Sequence, residues 1–277
     1  MRWWALLVVA PLRRVVVAKA GGRNSTERFS QTPPGAEPGE GLLLAATGKV
    51  IRGEELATLL AEACVAGVAT TVVLARRRDS LAAPCATTRV ANLESTRTFA
   101  SVRDYRRFKL TALAKFCPYP RTTYLDNDVE VADFAALFQR AFNRSDDDDA
   151  ASVGVAEAAN CVPKGHSQND VPNDFCERQG GVLALRCDRK ANLLMRRWLH
   201  AFLERPVSRD GHDQPALRRV AYEHRSDFYD LPRDELNCRH PCKQNHHTHS
   251  RCLVFHAHIP GDRHNRSEDH CFFTPPP

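Results

Sequence analysis

Two aspartates separated by one asparagine stand directly after an apolar run, in Thr122-Thr123-Tyr124-Leu125-Asp126-Asn127-Asp128. Alternate side chains of an extended chain point the same way, so the two carboxylates are expected to face one side. They would repel each other unless a cation lay between them, and carboxylate ligands suit Mg²⁺ or Mn²⁺. The motif therefore predicts a divalent-metal site at the carboxyl end of a strand, where open α/β sheets bind ligands.

Hydrophobic patterning predicts the elements that would position these carboxylates. Short apolar or β-branched runs predict buried strands, and apolar residues at helical spacing predict helices between them. The strands are expected at 42–47, 70–75, 122–125, 152–157, 181–186 and 253–255, and the helices at 54–66, 102–116 and 188–204. This alternation predicts an α/β fold with a mostly parallel central sheet flanked by helices. After residue 206 the chain is expected to be rich in loops.

Five motifs follow one another along the chain. They are Phe108-Lys109-Leu110 with the strand and Asp-Asn-Asp behind it, Gln179-Gly180-Gly181-Val182, Asp213-Gln214-Pro215-Ala216-Leu217, Leu231-Pro232 with Leu236-Asn237-Cys238-Arg239, and Val254-Phe255-His256. In this order they resemble glycosyltransferases of the GT-A fold, above all the glycogenin-like nucleotide-diphospho-sugar transferases. The resemblance spans roughly residues 42–261. It implies one catalytic domain of GT-A (Rossmann-like) fold that transfers a hexosyl or pentosyl group from a nucleotide-diphosphate sugar, with retention of configuration.

The same resemblance implies ligands for a metal ion and for the donor. Mn²⁺ or Mg²⁺ would be held by Asp126, Asp128 and His256, with His258 as the alternative to His256. The positions that would contact the nucleotide sugar are Thr47, Gly48, Lys109, Asp126, Asn127, Gln179, Gly180 and Gly181. The family usually has Asn and then Ser or Thr where this chain has Gln179 and Gly180, which leaves the identity of the sugar open.

The resemblance also implies that Asp213 and Gln214 lie beside the anomeric carbon. There they would stabilise or orient an oxocarbenium-like transition state. Simpler interpretations exist beside these. The sole role of Asp213 could be to cap a helix that begins at Gln214. Lys109 could be a solvated helix residue, and Gly180-Gly181 could be a turn.

Composition limits the partners. The 277 residues carry a net charge of +6, and the basic residues are spread along the chain without an aromatic-interleaved block. Nucleic-acid binding is therefore not expected. A mildly basic chain suits an anionic donor. The expected partners are a nucleotide sugar and a glycan, protein or lipid acceptor.

The cysteines and the N-terminus indicate the secretory pathway. The chain has 10 cysteines, which predicts disulfides in an oxidising compartment. Three sequons, at Asn24, Asn143 and Asn265, predict a glycoprotein. Residues 1–20 are interpreted as a signal peptide or short membrane anchor, 21–40 as a stem, 41–265 as the GT-A domain and 266–277 as a tail. The expected location is the Golgi lumen or outside the cell.

Three alternatives remain open at this level. A strand followed by Asp-x-Asp also opens haloacid-dehalogenase-like phosphatases, in which the first aspartate is the nucleophile. The histidines between His240 and His270, with Cys238, Cys242, Cys252 and Cys271, could bind zinc as a metal-binding module. Cys238 and Cys242 could also close a small loop. A GT-A module without catalytic activity is the third alternative.

Overall fold

The structure is a computed structural model, and it describes residues 39–48, 50–76, 79–93, 99–142, 151–158, 170–204, 211–239 and 251–256. Predictions that fall on other residues lie outside this description. They concern the leader at 1–20, nearly all of the stem at 21–40, the three sequons, His258, the histidine-rich stretch at 240–250 and the tail.

The strands and helices alternate along most of the described chain. The strands are β1 Glu40–Ala46, β2 Thr70–Leu74, β3 Thr88–Asn92, β4 Arg121–Leu125, β5 Val129–Val131, β6 Val153–Glu157, β7 Arg178–Arg186, β8 Phe228–Asp230, β9 Cys238–Arg239 and β10 Val254–His256. The α-helices are α1 Glu54–Val65, α2 Val102–Lys115, α3 Phe134–Phe142, α4 Arg189–Glu204, α5 Gln214–Glu223 and α6 Arg233–Leu236.

One mixed sheet organises the fold. Within the described ranges its seven strands lie in the order β3-β2-β1-β4-β7-β6-β8, and β5, β10 and β9 form a separate three-stranded sheet. Strands β1 to β4 run parallel, whereas β7 is antiparallel to both β4 and β6. The predicted α/β class with a mostly parallel sheet is confirmed.

The centre of the sheet is buried on both faces, because β2 and residues 41–46 of β1 are buried at every position. Alternate residues of β1 pack on opposite sides, with Leu42 and Leu44 against α1 and α3, and Leu43 and Ala45 against α2, α4 and α5. All four side chains are fully buried. This explains why the central strands appear as continuous hydrophobic runs rather than as alternating ones.

Helix α2 has clear signals at both ends. Ser101 caps it, and Asp104 returns the hydrogen bond in a capping box. The helix ends at Lys115, ahead of Pro118 and Pro120. The prediction of a helix at 102–116 is confirmed, and this helix carries Lys109 to the sheet.

Other predictions were wrong or incomplete. The helix expected to begin at Gln214 is confirmed as α5, but β8 and α6, which also lie after residue 206, were not predicted. Strand β7 begins at Arg178, ahead of the predicted start. Strands β3, β5 and β9 were not predicted. The last two have only three and two residues, which is too short for a period-2 pattern.

Disulfides are present as predicted. They join Cys64 to Cys85, Cys117 to Cys187, and Cys238 to Cys252. The last pairing corrects the small loop or metal site suggested for Cys238 and Cys242, because Cys238 is already bonded to another sulfur. Among the described residues, no helix has the length and apolar character needed to cross a bilayer.

Candidate active site

The candidate site lies at the point in the sheet where the strand order changes direction at β1. Strand β1 pairs with β2 on one side and with β4 on the other, so the crevice beyond the ends of β1 and β4 is a topological switch point. Because β7 is antiparallel to β4, its first residues reach the same edge. The Asp126 amide donates to the Gly181 carbonyl at 2.8 Å, which brings the two motifs together.

The carboxylate of Asp126 is held by two neighbours. Its Oδ1 lies 2.9 Å from Lys109 Nζ and accepts a hydrogen bond from the Tyr124 hydroxyl at 2.7 Å. Burial alone would raise the pKa of Asp126, but the charge of Lys109 and the two hydrogen bonds outweigh it and lower the pKa. Asp126 is therefore ionised at neutral pH.

Lys109 is not a solvated helix residue. Its side chain is buried, and its ammonium lies 3.5 Å from Asp213 as well as 2.9 Å from Asp126. The rings of Tyr124 and Trp198 flank it, with their centroids 5.1 and 5.9 Å from Nζ. Burial would lower the pKa of Lys109, yet the two carboxylates raise it overall. Lys109 is thus the shared counter-ion of both aspartates.

Asp213 occupies the position before α5 but does not cap it. Its side chain makes no capping hydrogen bond, and its carboxylate faces Lys109 and Arg106, with Arg106 Nε at 3.7 Å. The indole of Trp198 donates to the Asp213 carbonyl at 3.0 Å. The interpretation of Asp213 as only a helix cap is therefore wrong, because the structure aims its charge at the site.

The glycines of β7 lie in a break of the strand pairing. Val155 of β6 pairs with Leu183, but the next residue, Ala156, pairs with Gln179. The intervening residues of β7 form a bulge, a feature that re-aims the backbone near functional sites. The Gln179 side chain accepts from Gln214 Nε2 at 3.3 Å. The bulge thus brings the second and third motifs into contact.

Each glycine of the bulge lets a different group approach. A Cβ on Gly180 would lie 2.7 Å from the Trp198 ring. A Cβ on Gly181 would lie 2.5 Å from His256 Cε1, 3.1 Å from Asp126 Oδ2 and 3.2 Å from His256 Nε2. The absence of a side chain at Gly181 therefore leaves the space on which Asp126 and His256 converge.

These contacts bear on the predicted metal ligands. His256 lies on β10 opposite Val129 of β5, so it reaches Asp126 from a distant part of the sequence. Asp128 lies half-buried in the turn before β5. In the described ranges no group of three or more His, Cys, Asp or Glu side chains has the spacing of a metal site. Asp126 and His256 thus converge above Gly181, and ligation by Asp128 stays a prediction.

Asn127 makes two local hydrogen bonds, and its Oδ1 is buried without a partner among the described residues. It is buried, and its amide donates to the Ala45 carbonyl at 2.6 Å and to the Tyr105 hydroxyl at 2.9 Å. These bonds fix the turn after β4 against the end of β1. The chain there continues into Thr47, whose buried hydroxyl has no hydrogen-bond partner among the described residues, and Gly48, which has a φ of 56°.

Sequence reasoning missed several site residues. Arg106, Tyr124 and Trp198 contact the two aspartates or their backbone. Arg106 lies one helical turn before Lys109, a spacing that could have signalled it. Arg76 follows β2 at the same edge of the sheet, and its Nε is buried without a hydrogen-bond partner in the described part of the chain.

Comparisons of the structure find glycosyltransferases. WbbM, a bifunctional glycosyltransferase, superposes with a TM-score of 0.55 over 82% of this chain at 12% identity, and this chain spans only 46% of WbbM. The galactosyltransferase LgtC superposes with a TM-score of 0.54 at 14% identity, covering 80% of this chain and 87% of its own. The chain has the GT-A fold. No family model and no curated protein matches the sequence.

A third GT-A structure covers a similar share of the chain. The glycosyltransferase GlyE of Streptococcus pneumoniae TIGR4 superposes with a TM-score of 0.51 at 14% identity, over 82% of this chain and 56% of GlyE. The phosphatase alternative expected the acidic motif after the first strand. In this GT-A sheet Asp126 follows β4 instead, so that alternative loses its structural basis. Zinc ligation by Cys238 or Cys252 is also excluded, because the two are bonded to each other.

Proposed function

We propose that this protein transfers a glycosyl group from a nucleotide-diphosphate sugar to an acceptor hydroxyl, with the reaction centred between Asp126 and Asp213. The observation that carries the proposal is the pairing of both carboxylates with the buried Lys109 ammonium, at 2.9 and 3.5 Å. Burying charges is costly unless they are paired. Such a cluster at the switch point of a GT-A sheet is typical of a site that holds a charged ligand.

In the proposed reaction the bond between the anomeric carbon and the diphosphate oxygen breaks, and the diphosphate leaves with the electron pair. The acceptor oxygen bonds to the same carbon, and its proton passes to the departing diphosphate. Positive charge develops on the sugar in the transition state. The Asp213 carboxylate, paired with Lys109 and Arg106, lies where it stabilises that charge, and Gln214 and Gln179 hydrogen-bond the sugar. Retention of configuration is part of the proposal and rests on the sequence resemblance.

A divalent cation, Mn²⁺ or Mg²⁺, fits this site in part. Asp126 Oδ2 and His256 Nε2 both approach the space above Gly181, and Asp126 Oδ1 is held away from it by Lys109. We propose that Asp126 and His256 hold the ion together with Asp128. When bound, the ion would neutralise the departing diphosphate. Lys109 meanwhile keeps the Asp126 carboxylate ionised and oriented.

The nucleoside is proposed to bind at the ends of β1 and β2. Thr47 offers a buried hydroxyl, and Gly48 has a positive φ that lets the backbone turn closely at that edge. The buried Arg76 Nε is a donor at the same edge. These groups suit the hydroxyls and carbonyls of a ribose and a base.

The acceptor class and the cellular location extend the proposal. The acceptor is a glycan, protein or lipid hydroxyl, and the transferred group is a hexose or a pentose. The disulfides favour an oxidising compartment; they join Cys64 to Cys85, Cys117 to Cys187, and Cys238 to Cys252. We therefore propose the Golgi lumen or secretion, with membrane association through the N-terminal run as a further element.

The test is the release of nucleotide diphosphate from a panel of UDP- and GDP-sugars in the presence of Mn²⁺. The wild-type protein should hydrolyse at least one donor, and Asp126→Asn should lower that rate by roughly 100-fold. The matched control is Asp234→Asn, because the Asp234 side chain is 82% exposed and pairs only with Arg233 in the described structure. No release from any donor, or equal rates in Asp126→Asn and wild type, would refute the proposal and favour an inactive module.

A further inference from the structure

Arg218 of α5 is fully buried, which is unusual for a guanidinium. Its side chain has 0% exposure, and removing such a charge from water is costly unless its donors are satisfied. Its Nε donates to the Phe175 carbonyl at 2.7 Å, and its Nη2 donates to the carbonyls of Val171 and Pro172. All of these acceptors are backbone oxygens of one short segment, which Arg218 therefore holds.

Nearby carboxylates offset the cost of this burial. Desolvation lowers the pKa of Arg218, and the negative charges of Glu177, Asp170 and Asp174 oppose that shift. Glu177 is itself buried. The segment thus supplies both the carbonyls and the countercharge for one guanidinium. Lysine could not replace it, because one ammonium on a flexible stem lacks the planar fork of donors.

The segment that Arg218 holds leads directly into the site. Residues 171–177 include no helix or strand. Cys176 is disulfide-bonded and the Glu177 carbonyl accepts from the Ala158 amide at 2.8 Å, and side-chain contacts with α5 add to these two tethers. The Phe175 ring packs edge-on against Tyr222 of α5 at 5.3 Å, and the Arg178 guanidinium lies 5.0 Å from the Phe175 ring centroid. Arg178 opens β7, and Gln179 and the glycine bulge follow it.

Helix α5 is therefore joined to the strand at two places. At its start, Gln214 contacts Gln179 at 3.3 Å. One turn further, Arg218 contacts the segment that precedes Gln179. Residues four apart lie on the same face of a helix, so both contacts face the strand. The separation of Gln179 and Gln214 depends on how firmly the segment is held.

We propose that Arg218 is a positioning residue for the sugar pocket: it fixes the segment at 171–177 on α5 and thereby sets the gap between Gln179 and Gln214. The role assigned to that gap rests on the proposed function. Arg218 touches no reacting atom and acts through the strand that it holds. Gln179 pairs with Ala156 of β6, but the bulge that follows it lacks partners on β6, so the segment before Gln179 adds to what holds this part of β7.

The first test measures position without any activity. Amide hydrogen exchange is compared between wild type and Arg218→Lys, with Arg196→Lys as the control because Arg196 is an exposed arginine on α4. Arg218→Lys should speed exchange at least tenfold in residues 171–183 and leave β1 and α1 unchanged. If the protection of Gln179–Leu183 is the same as in wild type, the inference is overturned. Uniformly faster exchange along the whole chain would also overturn it, since that is a loss of global stability.

A second variant guards against misfolding of Arg218→Lys. Phe175→Leu removes the ring that packs on Tyr222 and leaves Arg218 in place, so it should loosen the same residues. If neither folded variant alters exchange in β7, Arg218 has no positioning role.

The second test uses the donor hydrolysis of the wild-type protein. Arg218→Lys should lower kcat roughly tenfold while leaving KM for the donor within about twofold, because misplacement by a fraction of an ångström affects the transition state most. The double variant Arg218→Lys with Gln214→Ala should lower kcat by less than the product of the two single reductions. Independent effects, or a change in KM alone, would contradict the inference.

The two tests separate this inference from the proposed function. If no nucleotide sugar is hydrolysed by any protein in the series, the transferase proposal fails, while the exchange result still decides the positioning role. If wild type is active and Arg218→Lys matches it in both kcat and exchange, the positioning role fails and the transferase proposal stands.

Discussion

Lys109 Nζ lies 2.9 Å from Asp126 Oδ1, while Oδ2 of the same carboxylate turns toward His256 across Gly181. The two oxygens of Asp126 thus have different neighbours. One is neutralised by a buried ammonium, and the other remains directed at the space where the imidazole approaches. Lys109 also lies 3.5 Å from Asp213, so one cation links the two carboxylates on which the proposed chemistry depends.

Replacement of Lys109 should destabilise the fold. Lys109→Met leaves the buried carboxylates of Asp126 and Asp213 without their shared countercharge, and breaking such a pair costs about 3–5 kcal/mol. Urea unfolding measures the loss. Lys109→Met with Asp213→Asn should be more stable than Lys109→Met alone, because one uncompensated charge is gone.

A matched lysine provides the control for that experiment. Lys190 forms an ion pair with Asp227 at 3.1 Å, but its side chain is 42% exposed. Lys190→Met should cost at most about 1 kcal/mol. Equal losses in Lys109→Met and Lys190→Met would show that the buried pairing has no special weight.

Stability should depend on pH through Asp126. Its pKa in the folded protein is lowered, whereas an unfolded aspartate titrates near about 3.9. The carboxylate therefore contributes stability that is present above the unfolded pKa and is lost as the pH falls through the folded pKa. The difference in unfolding free energy between wild type and Asp126→Asn should shrink below about pH 5. A difference that grows on acidification would contradict the lowered pKa.

A methyl group at Gly181 should disrupt the site locally. In Gly181→Ala the new Cβ would lie 2.5 Å from His256 Cε1, so the imidazole or the strand must move. Donor hydrolysis is expected to fall roughly 100-fold, since displacement of about 1 Å has effects of that size. Gly39→Ala is the control, because a Cβ there meets nothing within 4 Å. Hydrolysis that is equal in the two variants would refute the role of Gly181.

The disulfide between Cys117 and Cys187 should stabilise the fold most among the three described pairs. Its cysteines lie 70 residues apart, against 21 for Cys64 and Cys85. Loop-closure entropy predicts losses of about 4 and about 3 kcal/mol when each pair is replaced by serine. Denaturant unfolding of the two double variants measures the loss in the free energy of unfolding for each disulfide. A larger loss for the Cys64–Cys85 pair would contradict the entropic explanation.

The sequence predicted the central sheet because its strands carry their signal locally. Strand β1 contains the apolar run 42–46, and residues 122–125 of strand β4 are β-branched, aromatic or apolar, with Asp126 directly after them. The sheet of β5, β9 and β10 was not predicted as a unit, because strands of two or three residues carry no periodicity and depend on partners far along the chain. Leu253 was expected to open the last strand, which instead runs from Val254 to His256.

The sequence predicted which residues form the site better than it predicted the contacts between them. Asp126, Gly181, Asp213 and His256 lie at one edge of the sheet, as the motif order implied. The burial of Lys109 was not foreseeable from its own helix, because its neighbours are Tyr124 of β4, Trp198 of α4 and Asp213 ahead of α5. Trp198 is buried in the core. Its bond to the Asp213 carbonyl depends on the start of α5, which no local pattern around Trp198 encodes.

The most direct test of the central claim is calorimetric titration of UDP and of GDP into the protein with Mn²⁺, since binding of the product nucleotide requires no acceptor. Saturable one-to-one binding of UDP or GDP by the wild-type protein is expected, with an affinity that falls at least tenfold when Mn²⁺ is omitted. Binding should be lost in Asp126→Ala and kept in Asp234→Asn. Binding of neither nucleotide by the wild-type protein, or equal binding by Asp126→Ala, would contradict the central claim.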